Sequence, residues 1–466
     1  VIDLDDVFPL RSTQLCAALE AAPKRLLSAS GKVNFRNSLP LDDPRYVHTT
    51  RARGELFERD LQLALGCDPI SGSLDDPDPE ELHLLVFGHV GCGKSTELKH
   101  LCVSLHQPAC YWVVDVDLQA LIDTNNVHYS DVWLAVAQEL IQRLRDSDIA
   151  IDSAVIDRFH GWFQERAFQD EHVREIGAGI GSEAEVGGAI PLLGKLLARF
   201  TSSIRAGSVH RESIRTVVTK TYAQFSRALD GLIQSATLAL RARGLGQQLL
   251  FVIDGADRCR AEDWSRLFVR EANQLTQIKC RAVYTAPMAL MISGDRLEVF
   301  EHIVLPMVKL FEPDGVTRRP AAFDALRELV LKRCHHSLFA STTDLDRLIE
   351  WSGGHIRDLL RLLRFACMAA FGSLIDARAV SAAMQRLGAD YRNRITEEQY
   401  LALVKIDLKR TNVGTHQLLS ELVAAGALLE YNAGSWRQSH PVIRTLAGYD
   451  HALKQVALRS ETIETA

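Results

Sequence analysis

Apolar residues fall into short unbroken runs in the first two thirds of this chain and recur at helical spacing in the last third. His83 to Phe87 is a run that stops at a glycine, the pattern of a strand buried on both faces that feeds a tight turn. Runs of the same kind at Tyr111–Asp117, Gln248–Asp254, Arg281–Thr285 and His302–Leu310 predict four more strands. Between the first two, Lys94–Leu105 reads as a helix, and Tyr129–Arg145 follows as a long amphipathic one. Strands alternating with helices predict a mainly parallel five-stranded sheet covered on both faces, an α/β fold.

The remaining pattern divides the chain. Residues 1–50 read as an N-terminal segment and linker, and Glu55–Leu65 carries helical spacing toward the first strand. The acidic stretch SGSLDDPDPEE, ending at Glu81, reads as a surface loop. The α/β unit then covers 51–312 and holds an insertion over 146–246. Within it, Arg174–Ile190 is glycine-punctuated and alternating, like a hairpin, and Leu193, Leu197, Phe200 and Ile204 share one helical face. That stripe fits either a membrane-surface helix or an insertion packed on its own domain or a neighbouring subunit; flanks poor in basic residues favour packing. Residues 313–390 are all helical, with Ala321–His335, Thr343–Ser352, Ile356–Phe371 and Ala377–Arg386 forming a lid-like bundle. Residues 391–466 begin another unit, with helices at Thr396–Ile406 and Thr415–Ala425. Strands at Leu428–Tyr431 and Trp436–His440 follow, joined by a turn at Asn432, Ala433 and Gly434. Two helices and a hairpin resemble a winged helix.

Composition narrows the function classes. At 466 residues the chain exceeds one ordinary core. No apolar run approaches the roughly 20 residues of a membrane helix, and the start, VIDLDDVFPL, is acidic where a secretion signal is basic. A cytoplasmic location without membrane partners is the expectation. The nine cysteines are odd in number and scattered, so neither a disulfide framework nor a zinc knuckle is suggested, and Cys334-His335-His336 lacks a second ligand pair. Net charge is −6; residues 1–81 hold 9 basic and 15 acidic side chains, leaving 44 of each sign elsewhere. Bulk charge therefore gives no nucleic-acid footprint, although a local basic patch remains open.

The chemistry is concentrated in GHVGCGKST, Gly88 to Thr96, which satisfies G-x-x-x-x-G-K-S/T between a predicted strand and a predicted helix. Gly88, Gly91 and Gly93 let the backbone curl so that N–H groups face a β-phosphate, and the helix start adds its dipole. Lys94 supplies a cation to the β and γ phosphates, and Ser95 offers a hydroxyl to magnesium. ATP and magnesium are thus the implied cofactors. Cys92 is a small filler or, at a helix N-terminus, an alkylation-sensitive thiol. The strand LLFVID ends in Asp254, a carboxylate placed to hold the magnesium shell. The next residue is Gly255, and the nearest further carboxylate, Asp257, is either a base for the attacking water or a helix cap. Thr285 at a strand end can sense a γ-phosphate through that water or simply end a strand. Arg357, at a helix start, can reach the nucleotide or serve as surface charge. Arg296, before the fifth strand, is a candidate finger for a neighbour's ATP.

The order P-loop, aspartate-ended strand, strand-end threonine, helical lid with GGxxR (Gly353 to Arg357) and a C-terminal winged helix resembles the AAA+ and STAND superfamily of ATPases. Two branches compete. DPRYVHTTRARGELFERDL, Asp43 to Leu61, looks like the adenine-side linker of archaeal and eukaryotic replication initiators, which implies that Tyr46 and Val47 lie near the adenine. Asp254-Gly255-Ala256-Asp257 is closer to the Asp-Gly-x-Asp of NACHT-type switches. The resemblance implies a P-loop NTPase from anti-phage or mobile-element systems; a poorly equipped ATP site, no second catalytic constellation and a lid plus winged helix point to an ATP-dependent molecular switch that oligomerises or changes partner contacts and acts with a separate effector protein. Gly255, where many such enzymes carry a glutamate, implies slow hydrolysis. The alternative is a DNA-loading ATPase whose Thr415–Ala425 helix enters a groove with Trp436 and Arg437 on the backbone; winged helices also dock proteins.

Overall fold

The computed structural model describes residues 2, 4–8, 13–35, 38–54, 56–76, 80–165, 174, 189–206, 209–409, 414–431 and 436–464. The glycine-punctuated stretch after Arg174 and the turn at Asn432, Ala433 and Gly434 lie outside the described residues.

Five parallel strands form the central sheet: β1 (Leu82–Gly88), β2 (Tyr111–Asp117), β3 (Gln248–Asp254), β4 (Arg281–Pro287) and β5 (Glu301–Val304), in the order β2-β3-β4-β1-β5. Every residue of β1 and β4 is buried, as continuous apolar runs require in a sheet covered on both faces. The chain thus has the P-loop NTPase α/β fold. Its register matters for the site: Ile253 pairs with Tyr284 and Val86 with Thr285, so Gly88, Asp254 and Thr285 end at one edge. Ligands of open α/β sheets bind at this carboxyl edge.

The fifth strand is shorter than the predicted His302–Leu310. Pro306 brings no backbone N–H and the strand lies at the sheet edge, so pairing stops after Leu305 donates to Phe87 O at 2.8 Å. A second correction concerns the cysteines: Cys67 and Cys110 are joined by a disulfide. The loop carrying Cys67 runs beside the entry to β2, where Leu74 N–H bonds Ala109 O at 3.0 Å, so two thiols 43 positions apart become neighbours.

Helices cover the sheet. The helices of this part of the chain include α1 (Leu26–Lys32), α2 (Leu56–Ala64), α3 (Lys94–Leu105), α4 (Tyr129–Asp146), α5 (Ala189–Arg205), α6 (Tyr222–Ala242) and α7 (Met288–Ile292). The stripe of Leu193, Leu197, Phe200 and Ile204 is buried, and α5 lies on α4, so the amphipathic face packs within its own domain. No described helix is long and apolar enough to cross a membrane.

The helical bundle follows as α8 (Pro320–Leu331), α9 (Thr342–Ser352), α10 (Ile356–Ala370) and α11 (Ala377–Arg392), with α1 packed on α10. The C-terminal elements are α12 (Glu397–Lys409), α13 (His416–Ala424), β6 (Leu428–Glu430), β7 (Arg437–Ser439) and α14 (Ala447–Glu464). β6 and β7 pair antiparallel, and Leu429, Tyr431 and Trp436 pack with Cys92, Leu305 and Met307 beneath the P-loop.

Candidate nucleotide site

The glycine-rich turn starts where β1 ends and closes where α3 begins. Gly91 and Gly93 have φ of +97° and +107°, conformations that any side chain would strain. A Cβ on Gly91 would come within 2.8 Å of the Arg357 side chain, and one on Gly88 within 3.1 Å of Lys94. Only glycine lets these groups approach so closely.

Lys94 is buried and donates to Gly88 O at 2.7 Å and His89 O at 3.0 Å, while its Nζ lies 2.8 Å from Asp257 Oδ2. Ser95 Oγ donates to Asp254 Oδ1 at 3.0 Å, so the hydroxyl and carboxylate named from the sequence meet. Asp257 lies in a short 3₁₀ turn, Ala256–Arg258, and caps no helix; its carboxylate faces Lys94. Thr285, fully buried, accepts from Gly255 N–H at 2.9 Å and donates to Asp257 Oδ1 at 3.3 Å. It touches the site through Asp257.

The two aspartates are pushed apart electrostatically. Burial, and then the charge of Asp257, raises Asp254, with the Ser95 hydrogen bond opposing. Burial pushes Asp257 up as well, but the charge and hydrogen bond of Lys94, with Arg258 and Thr285, outweigh it and hold the carboxyl below its ordinary value.

A pocket opens from Lys94, Ser95 and Thr96 toward the N-terminal segment and the bundle, and Asp257, Arg258, Arg357, Tyr46 and Val47 also line it. Arg357 N–H donates to Gly91 O at 3.1 Å, and its guanidinium is disfavoured by burial and then by Arg258. Tyr46 stacks on His100 with ring centroids 3.4 Å apart and donates to Glu97 Oε2 at 3.1 Å. Arg296 is exposed in the loop between α7 and β5 and lines no pocket with these residues. Cys92 is buried under the C-terminal hairpin, the filler rather than the accessible thiol. Elsewhere, Cys334 contacts Cys367 while His335 and His336 turn to Glu20, the three ligand atoms lying within 4.8 Å. Lys24 pairs with that glutamate at 3.1 Å, and His335 Nδ1 accepts Ser337 N–H at 3.2 Å, both ordinary structural roles.

Several residues of the site were not singled out from the sequence. Arg53, buried, donates to Cys92 O at 2.6 Å and Thr49 Oγ1 at 2.7 Å, bracing the P-loop from below. Glu97 accepts from Thr49 Oγ1 at 2.5 Å and thereby ties the linker to α3. Arg258 reaches Ser95 Oγ at 3.3 Å. His89 Nε2 accepts the buried Glu430 N–H at 2.9 Å, and His355 Nε2 contacts Val90 O at 3.0 Å. Asp358, in the same network, accepts from Tyr391 OH at 2.7 Å and Arg361 at 2.9 Å.

The donor set fits a magnesium triphosphate. Curled amides and Lys94 offer donors to anionic oxygens, and Ser95 with Asp254 presents the hydroxyl and carboxylate pair that hard cations take. No protein-family model and no curated protein matches the chain. Among solved structures it is similar to that of Cdc6p from Pyrobaculum aerophilum, at 14% identity and a TM-score of 0.37 over 89% of this chain and 97% of that one.

Proposed function

We propose that the chain is an ATP-dependent molecular switch of the AAA+/STAND type, binding and slowly hydrolysing ATP to control oligomerisation or engagement of a separate effector protein. One observation carries this reading. Three successive P-loop residues are bonded by elements from far along the chain: His89 by β6, and Val90 and Gly91 by the start of α10. Anything that reshapes the loop on binding phosphate must act on those bonds, so nucleotide state and the seating of the bundle and hairpin are linked.

In this reading Lys94 and the loop amides hold the phosphates, and Tyr46 and Val47 flank the base. Ser95 and Asp254 hold magnesium, which would neutralise charge on the β and γ phosphates. Gly255 supplies no carboxylate next to Asp254, which supports slow turnover. Arg357 follows the phosphates from the bundle, Thr285 acts through Asp257, and Arg296 is offered to a neighbouring copy. The likeness of Asp254–Asp257 to NACHT-type switches supports a place in antiviral defence.

The test is a mass measurement of the purified protein with ADP and with a slowly hydrolysed ATP analogue, repeated with Lys94→Ala. A change of assembly with the analogue alone, absent in the variant, is expected; identical masses and identical partner binding in both nucleotides would overturn the proposal. The DNA-loading alternative needs α13 to leave its seat: His416 Nδ1 lies 3.1 Å from Ile292 O and Ser420 Oγ donates to Ala289 O at 2.9 Å, both on or beside α7. Salt-dependent DNA binding lost on changing Arg437 and Lys409 would establish it instead.

A further inference from the structure

Arg333, two residues beyond α8, lines the end of the pocket away from the P-loop and is only 4% exposed. Its surroundings are unusual for a buried cation. Both of its hydrogen bonds run from Nη1 to backbone carbonyls, Arg45 O at 3.0 Å and Leu329 O at 2.8 Å. Among the described residues no carboxylate lies within ion-pair distance. The nearest acid acting on it, Asp43, is taken by Arg45, whose Nη2 sits 2.5 Å from Asp43 Oδ2. Burial, and then Arg45, push the Arg333 guanidinium down to about 10.

A buried charge without a counter-charge is costly, and a pocket wall is where a ligand can offset that cost. The surroundings narrow the ligand group. Phe35, Val47, Leu329 and Leu360 line the same pocket, and Arg45, which also lines it, is paired with Asp43, so Arg333 is the buried donor there without an acidic partner, on apolar walls suited to a flat heteroaromatic ring with lone pairs on its edge. Lys332 Nζ also bonds Tyr46 O at 2.7 Å, so the end of α8 holds the linker that forms the facing wall.

We infer that Arg333 is a specificity-determining residue of the nucleotide site, donating from its remaining N–H groups to acceptor nitrogens on the edge of the bound base. The assignment rests on the nucleotide-binding reading above and goes beyond it, because it gives the nucleoside end its own buried donor. A purely structural Arg333, tethering linker to bundle, is the competing account, and the two differ in what they predict for ligands that lack a base.

The experiment is calorimetric titration of the full chain and of Arg333→Met, Arg333→Lys and Lys94→Ala. The ligands are a slowly hydrolysed ATP analogue, its cytidine counterpart and inorganic tripolyphosphate, each with magnesium. Arg333→Met is expected to weaken the ATP analogue by about tenfold or more, to shrink the preference for adenine over cytosine and to leave tripolyphosphate within about twofold. Arg333→Lys should recover part of the adenine affinity. The nucleotide-free unfolding midpoint of Arg333→Met should not fall, because an uncompensated buried charge has gone. Unchanged affinity for all three ligands, or equal loss for all three with a lowered midpoint, would overturn the assignment. Failure of the unaltered protein to bind any of them would instead overturn the nucleotide site itself, and this inference with it.

Discussion

Asp257→Asn separates the stability of the empty site from its affinity, and the two should move in opposite directions. The carboxylate and Lys94 form a pair 2.8 Å apart whose side chains are 5% and 2% exposed. Removing one partner of a buried pair costs about 3–5 kcal/mol, mostly from the charge left behind. Lys94 keeps two carbonyl acceptors, at 2.7 and 3.0 Å, and asparagine can still accept from Thr285, so the low end, about 3 kcal/mol, is the better expectation. A triphosphate supplies Lys94 with new negative charge, so most of that cost disappears in the bound state. The difference appears as affinity: about 1.4 kcal/mol per decade puts the gain between roughly tenfold and a hundredfold.

Urea unfolding without nucleotide and calorimetric titration with the slowly hydrolysed analogue test both halves. The variant should unfold at lower urea and bind more tightly. Acid behaviour adds a check on sign. Asp257 is held below its ordinary value, so its contribution to folding is present above about pH 4 and is lost as pH falls through the folded value. That acid limb should be smaller in the variant. A variant that binds no tighter than the unaltered protein, or that is equally stable when empty, would refute the reasoning, because the pair would then not compete with the phosphates.

Three further outcomes follow from the same geometry. Asp254 must lose its proton to hold magnesium and is raised by burial and then by Asp257, so the magnesium-dependent increment of nucleotide binding should decline with falling pH, starting above the ordinary carboxylate range; Asp257→Asn should move that onset down, measured by titration with and without a chelator. His83 is buried between Tyr284 OH and Ile278 O, each 3.0 Å away, and burial lowers it to about 4. The folded state therefore takes up fewer protons than the unfolded one, and about 3 kcal/mol of stability should disappear between about pH 6.5 and pH 4, a slope that His83→Gln removes in urea titrations at stepped pH. Gly91→Ala sets a Cβ against Arg357 at a φ of +97°, so analogue binding should fall by more than about tenfold, whereas Gly31→Ala, with nothing within 4 Å, should leave binding unchanged.

How much of this was legible from sequence depends on the range of the contacts involved. Four strands could be placed because each is a largely buried apolar run, with a glycine at the tip of β1 and an aspartate at the tips of β2 and β3, and the P-loop helix because the G-x-x-x-x-G-K-S/T pattern opens it; all are local signals. Ser95 follows from the G-x-x-x-x-G-K-S/T pattern and Asp254 from its place at a strand end, and the structure brings them to 3.0 Å. The predicted fifth strand runs too far because Met307, Val308 and Leu310 are apolar and buried beyond the last pairing contact at Leu305; Met307 packs under the hairpin and the other two join the main core. The final helix, Ala447–Glu464, escaped because Leu453 and Leu458 are exposed and blur its apolar face. The bracing groups were invisible for a different reason. Thr49 and Glu97 are 48 positions apart, Arg53 and Cys92 39, and His89 and Glu430 341. No periodicity links such pairs.

The contacts around the P-loop also bound what nucleotide alone can do. The bonds to His89, Val90 and Gly91 are each worth on the order of 1 kcal/mol net, so a ligand that disrupts all three shifts the seating of the bundle and hairpin by about a hundredfold. The apolar contact is another matter. Leu429, Tyr431 and Trp436 are buried with Cys92, Leu305 and Met307, and a single fully buried leucine contributes about 1.5–3 kcal/mol. Phosphate binding does nothing to rehydrate that face, so releasing it requires more differential affinity than the three loop bonds supply. Full release of the C-terminal elements is therefore expected only when ATP is bound and a second surface, from another copy or an effector, covers the exposed hairpin. If the proposed switch is right, it answers to two inputs, and nucleotide by itself should loosen the hairpin without detaching it.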